Sequence, residues 1–291
     1  MEDRGDFQMT DRHTVELMAL SGKYVPNGGV SESDFLTLVE SMGTAPDLKR
    51  LNRFLRRRSL GEPLEYITGF QIFRNRRFEI DKRVYITDPE LTHLVDTVVA
   101  AGRHFAETMG RAPVMVEFGV GCGSLAISVK KELPEARVIG LDLDSDAIAV
   151  ALRNARAHQV DLALIESDFF SDLPEEIIPD MIFGDPPWGD SDSLYDDERP
   201  ASHYHAMPIL SAFPGGDIAS MHQTLLKEVS SRAWNSEIFL NLGVLDQKIV
   251  ETLTKRTCRH DILPFDNTRI LRCKVASGGC PGAGTSDDGS L

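Results

Sequence analysis

The sequence lacks most of what would mark a secreted, membrane-spanning or metal-stapled protein. Only four cysteines, Cys122, Cys258, Cys273 and Cys280, occur in 291 residues, with no Cys-x-x-Cys pair and no histidines at zinc spacing. A disulfide framework and a structural zinc site are therefore both excluded as organising devices, and no metal is expected. Reduced thiols fit a cytoplasmic protein. No apolar run approaches the length of a membrane span, and the first ten residues, MEDRGDFQMT, are polar and acidic where a signal peptide is basic and then apolar. Positive charge is also in deficit. Lys and Arg number 31 against 45 Asp and Glu, a net charge of −14 that repels phosphate backbones and disfavours a nucleic-acid partner. The basic cluster from Arg53 to Arg58 reads as a solvated helix face. What remains is ordinary globular usage, 42% hydrophobic and 26% charged, enough for a large core and two domains.

Residues 1–64 carry three apolar stripes at helical spacing: Val15 with Leu17, Met18 and Leu20, then Phe35-Leu36 with Leu38-Val39, then Leu48, Leu51 and Phe54-Leu55. They predict a small N-terminal helical domain for substrate recognition. Between residues 65 and 90 the pattern turns to β-branched and aromatic residues alternating with polar ones around Arg74-Asn75-Arg76, which predicts a connecting β-hairpin. From residue 91 to 276 helix and strand alternate, with strands at 113–118, 137–142, 162–167 and 181–184. This is the signature of an α/β, Rossmann-like domain whose mostly parallel sheet is covered on both faces and binds ligands at the carboxyl ends of its strands. The tail 277–291, rich in glycine, serine and aspartate, is expected to be disordered.

The first of those strands runs into Glu117-Phe118-Gly119-Val120-Gly121-Cys122-Gly123-Ser124. Three alternating glycines permit a tight turn, close backbone approach to a ligand and a helix N-terminus facing it. The spacing is G-x-G-x-G, with Ser124 where the dinucleotide fingerprint has its last glycine. Asp142 ends the next strand about where an acid meets ribose hydroxyls, and Asp168 ends the one after, near an adenine edge. The pattern favours S-adenosylmethionine (SAM) over NAD.

Ordered motifs along the chain add a resemblance. GEPLEYITGFQIF from Gly61, VYITDPELTHLV from Val84, VEFGVGCGSLAISV from Val116, GLDLDSDAIAVALRNA from Gly140, SDFF from Ser167, GDPPW from Gly184, FPGGD from Phe213 and LNLGVLDQ from Leu240 resemble the HemK/PrmC-type protein-glutamine methyltransferases. The resemblance implies a class I methyltransferase fold and SAM as cofactor. Glu117, Gly119, Gly121 and Gly123 would surround its methionine portion, Asp142 with Leu143 its ribose, and Asp168 with Phe169 its adenine. Asp185, Pro186, Pro187 and Trp188 would stand at the Asn-Pro-Pro-Tyr position that grips the nitrogen to be methylated. The family methylates a side-chain amide of release factors.

Two departures direct the functional expectation elsewhere. The motif's asparagine is Asp185 and its tyrosine Trp188, and a Pro-Arg-Pro-Glu segment reads Thr87-Asp88-Pro89-Glu90. A carboxylate in a partly desolvated site favours a cationic acceptor, and an indole offers it a stacking face. A guanidinium is planar, charged and matches carboxylates bidentately. The expectation is therefore N-methylation of the guanidino group of free arginine or a similar small cationic amino acid, with Asp88, Asp190 and Glu198 as further substrate-binding acids. The alternatives are glutamine methylation of a release factor, methylation of an adenine amine, and a non-catalytic SAM-binding module. Oligomeric state is not readable.

Overall fold

A computed structural model describes residues 11–26, 28–187, 201–213, 215–243 and 245–275. Four helices lead: α1 (Asp11–Tyr24), α2 (Glu32–Glu40), α3 (Leu48–Ser59) and α4 (Leu64–Thr68). α2 and α3 begin on capping side chains, Ser31 accepting the Asp34 N–H and Asp47 those of Lys49 and Arg50. Their stripes join in a core of Phe35, Leu38, Leu51, Phe54, Leu55 and Ile67. α1 adds Tyr24 to that core and Leu17 and Leu20 to its margin, while Val15 and Met18 face outward at 63% and 68% exposure.

The segment read as a hairpin from residue 65 starts differently. Its first residues form α4, which buries Tyr66 and Ile67 and is stopped by Gly69 at φ 83°. The strands β1 (Phe70–Phe73) and β2 (Arg76–Glu79) follow, paired antiparallel. Arg74 and Asn75 between them both have positive φ, 49° and 57°, the mirror-image turn that matches strand twist. The left-handed arginine is offset by its partners: it forks onto Glu132 at 2.9 and 2.6 Å and donates to the Thr92 carbonyl at 3.1 Å.

After a 3-10 turn at Pro89–Leu91 come α5 (Thr92–Met109), β3 (Val114–Phe118), α6 (Ser124–Glu132), β4 (Arg137–Asp142), α7 (Ser145–Ala157), β5 (Ala163–Glu166) and β6 (Met181–Gly184). Short helices α8 (Ala201–His205) and α9 (Ile209–Ala212) lead to α10 (Ser220–Ser231), β7 (Glu237–Asn241), α11 (Gln247–Thr254), β8 (Thr257–Pro264) and β9 (Arg269–Val275). The sheet order is β5-β4-β3-β6-β7-β9-β8, parallel from β5 to β7, with β9 antiparallel to both β7 and β8. One face carries α5, α6 and α7, packed through Leu94, Val98, Ile127 and Ala151. The other carries α10 and α11 through Leu225, Val229, Val250 and Leu253.

The chain winds one way from β3 through β4 to β5 and then crosses to β6 on the other side of β3. That reversal opens a crevice at the carboxyl ends of β3 and β6, where ligands bind in folds of this kind. No helix among the described residues is long and apolar enough to cross a membrane.

Candidate active site

The crevice is a cavity of about 810 Å³. Its near wall is the turn from β3 into α6. Gly119 and Gly121 have φ of 70° and 53°, both line the cavity, and a Cβ built on either meets nothing within 4 Å. Gly123 serves another purpose. It is not among the lining residues, and a Cβ there would crowd Ile127 at 3.1 Å and Ala151 at 3.3 Å, so its glycine seats α6 against α7.

Asp142, at the end of β4, holds the turn. Its Oδ2 accepts the Gly121 N–H at 2.8 Å and its Oδ1 the Asp144 N–H at 3.0 Å. Burial raises its pKa and those two N–H groups oppose the rise. Glu117 is buried beneath the turn and accepts the Ala126 N–H at 2.6 Å. Its pKa stands well above the ordinary value, first through burial and then through the nearby charges of Asp142 and Asp185. Leu143, Asp168 and Phe169 line the cavity beyond Asp142, with the Phe169 ring stacked on Phe118 at 5.0 Å. An open glycine cradle, an acid at the second strand end and an apolar slot lined by Phe169 fit the methionine, ribose and adenine parts of SAM.

A second wall comes from the hairpin. Gln71, buried on β1, donates to Thr87 Oγ1 at 2.7 Å and Cys122 Sγ at 3.3 Å, while its Oε1 accepts the Thr87 N–H at 2.9 Å. Thr87 Oγ1 lies 2.7 Å from Ser124 Oγ. Asp88, next along, faces the cavity.

Asp185 stands at the far end, one residue beyond β6. It lines the cavity with Pro187, whereas Pro186 is buried and is not among the lining residues. Trp188, Asp190 and Glu198 lie outside the described residues. The Asn241 side chain reaches Asp185 from the end of β7, its Nδ2 donating to Oδ1 at 2.7 Å. Asn241 Oδ1 in turn accepts from the Gly243 N–H at 3.1 Å and the Thr268 hydroxyl at 2.5 Å. Beneath it, buried His222 donates from Nε2 to the Asn241 carbonyl at 2.8 Å, and burial lowers its pKa to about 4, so it is neutral.

Asn241, Thr268 and His222 were not anticipated from sequence. Asn241 had a signal, a polar residue closing the apolar run Ile238-Phe239-Leu240, as Asp185 closes Ile182-Phe183-Gly184. Thr268 and His222 had none. Among the described residues no cluster of three or more His, Cys, Asp or Glu is placed to hold a metal ion.

Comparison with known proteins agrees with this architecture. A family model described as "Methyltransferase small domain" matches residues 96–197. The release factor glutamine methyltransferase of Lactococcus lactis subsp. lactis is 26% identical over 87% of this chain and 86% of its own. That of Chlorobaculum tepidum is 32% identical, over 50% of this chain and 51% of its own. Among solved structures, the hMettl16 catalytic domain in complex with MAT2A 3'UTR hairpin 1 matches with a TM-score of 0.52 at 13% identity, over 89% of this chain and 91% of its own, a likeness of fold.

These relatives overturn the expectation of an arginine substrate, since the names they carry are those of release factor glutamine methyltransferases. At the site, Asp185 Oδ1 already accepts from Asn241 Nδ2, so part of the carboxylate's acceptor capacity is committed to a neutral amide. Together with a parallel sheet whose switch point carries a glycine cradle and a strand-end acid, these matches support the resemblance to the HemK/PrmC-type methyltransferases, and the chain is a SAM-dependent N-methyltransferase of Rossmann-like fold.

Proposed function

We propose that the chain methylates the side-chain amide nitrogen of a glutamine in a peptide chain release factor. The observation that carries this reading is the alignment of nearly the whole chain with relatives named for that reaction. The site is compatible with it. SAM, when bound, supplies a methyl group on a sulfonium, open to in-line displacement. An amide nitrogen is a weak nucleophile because its lone pair is delocalised, so the protein must hold it about 3 to 3.5 Å from the methyl carbon and in line.

Gly119, Gly121 and Asp142 would hold the cofactor, with Glu117 beneath its amino-acid end. Asp185 would accept an N–H of the glutamine amide, orienting its lone pair and stabilising positive charge that develops on nitrogen as the new bond forms. Pro186 and Pro187 fix φ after Asp185 and keep its backbone carbonyl aimed. The N-terminal helices α1 to α4 are the part that recognises the protein substrate. The reaction takes place in the cytoplasm, where release factors act.

The test is methyl transfer from labelled SAM to purified release factor, with the labelled residue located by mass spectrometry. Label on a glutamine amide is expected. Label only on another residue type, on free arginine or on nucleic acid would overturn the reading.

A further inference from the structure

Asn241 makes a closed set of contacts from a side chain that is 3% exposed. A backbone N–H can only donate, so the Asn241 atom that meets the Gly243 N–H is the amide oxygen, and Nδ2 is left to face Asp185. Thr268, whose hydroxyl lies at 2.5 Å on the same oxygen, adds a second reason. The orientation of this amide is thus fixed by the strand and not by its partner. Asp185 Oδ1 must be an acceptor.

We propose that Asn241 is a positioning residue that sets the hydrogen-bond polarity of residue 185 toward the methyl acceptor. By donating to Oδ1 from an amide whose orientation is fixed, it requires an acceptor at that atom of residue 185 and so decides which side chains there can still present an acceptor to the N–H groups of the methyl acceptor. The proposal rests on the amide-methylation reading above, in which the nitrogen to be methylated carries N–H groups that need acceptors.

The consequence is a pair rule. A carboxamide at 185 can satisfy Asn241 only through its own oxygen. Its NH2 then faces the cavity and meets the acceptor's N–H groups donor to donor, so Asp185→Asn inverts polarity with almost no change of shape. A carboxylate at 241 behaves in the opposite sense. One oxygen still receives Gly243 and Thr268, and the other offers an acceptor toward residue 185. A carboxamide at 185 would then donate to it and turn its oxygen to the cavity. Exchanging the two side chains keeps the net charge and restores the acceptor.

The experiment uses the full chain with purified release factor and labelled SAM, comparing D185N, N241D and D185N/N241D, with SAM binding followed by calorimetry. D185N is expected to lower kcat by about 10²- to 10³-fold, the loss typical of one misplaced polar partner at a reacting group, with SAM affinity unchanged. N241D sets two carboxylates face to face, and its activity should survive only at lower pH, where one proton is shared. The double variant should recover to within about tenfold of the parent. D185N with undiminished kcat, or a double variant no more active than D185N while both bind SAM, would overturn the proposal.

A second readout needs no acceptor. In chain labelled with 13C at aspartate carboxyls, Asn241→Ala should raise the Asp185 titration midpoint, because a donor to the charged form is lost. An unchanged midpoint overturns the proposal by itself. A raised midpoint in a chain whose parent labels no release factor glutamine would keep the positioning role and reject the substrate.

Discussion

Asn154 holds Glu79 by both of its backbone groups: its Oδ1 accepts the Glu79 N–H and its Nδ2 donates to the Glu79 carbonyl, each at 2.8 Å. The same Nδ2 donates to the Cys122 carbonyl at 2.9 Å. One buried amide on α7 therefore ties the end of the hairpin to the glycine turn that forms the cofactor wall. Replacing it by alanine strands three backbone groups, the Glu79 N–H and the two carbonyls that the Nδ2 hydrogens had served. Asn154→Ala should destabilise the chain by about 2 to 4 kcal/mol, read by urea unfolding. With the turn loosened, KM for SAM should rise severalfold while kcat at saturating SAM changes little. An unchanged KM would show that the turn holds its shape without the clamp.

Glu62 links the helical region to the hairpin. It takes a two-pronged contact from Arg57 at 2.7 and 2.8 Å and a third from Lys82 at 2.9 Å. Arg57 foremost, then Lys82, pull its carboxyl down from 4.5 to about 2, against the opposing effect of burial. Because the folded pKa is the depressed one, the stabilisation is complete above pH 4.5 and disappears as pH falls toward 2. Partial exposure of Arg57 and Lys82 screens the pair, leaving about 1 to 2 kcal/mol. Glu62→Gln should therefore lower the unfolding free energy by that amount at neutral pH, and the two curves should converge near pH 2. Parallel curves across the whole range would mean the pair contributes nothing.

The residues that could be read from sequence are those whose signal is local. Val116, Ile139 and Ile182 sit in short fully buried runs, so β3, β4 and β6 were placed within a residue, and Asp142 and Asp185 were visible as polar residues closing such runs. β8 escaped notice because it is the edge strand of the sheet and mostly exposed, so Thr257–Pro264 shows no apolar run. α4 was read as strand because Tyr66, Ile67 and Thr68 have strand propensity, which the burial of Tyr66 and Ile67 overrides. The arginine expectation was overturned by the names of the relatives, and the surroundings of Asp185 were not legible in the sequence either. The charge of Asp185 was visible, but the partner that occupies one of its oxygens lies on another strand, 56 positions away. A side chain's hydrogen-bond polarity depends on such distant neighbours and cannot be read from its own segment.

Two glycines at this site should respond to alanine in opposite ways. At Gly184 an added Cβ would stand 2.5 Å from the Phe118 carbonyl oxygen, so β6 could not keep its spacing from β3. Gly184→Ala should cost several kcal/mol and yield little folded protein. At Gly119 the Cβ would project into open space, at a backbone cost of about 1 to 2 kcal/mol for φ of 70°. Gly119→Ala should fold and lose SAM affinity, because the new methyl stands in the cofactor's place. Calorimetry and thermal melts separate the two. A Gly119→Ala chain with parental SAM affinity would place the cofactor elsewhere in the cavity.

Asp142 accepts one backbone N–H on each oxygen, and this gives it a part in shaping the turn beyond the cofactor contact proposed for it. A carboxamide there can accept only one of the two, and its NH2 would confront the other N–H. If the Gly121 N–H is the one abandoned, the turn that shapes the cofactor cradle loses its tie to β4. Asp142→Asn should therefore weaken SAM binding by at least about 30-fold, roughly 2 kcal/mol, more than the loss of a ribose contact to a neutral acceptor would cause. Because none of these contacts reaches residue 185, kcat with saturating SAM should stay within a few-fold of the parent. A variant that binds SAM normally but turns over slowly would instead mean that Asp142 acts on the reacting nitrogen, and that the cofactor lies along the cavity in the reverse sense.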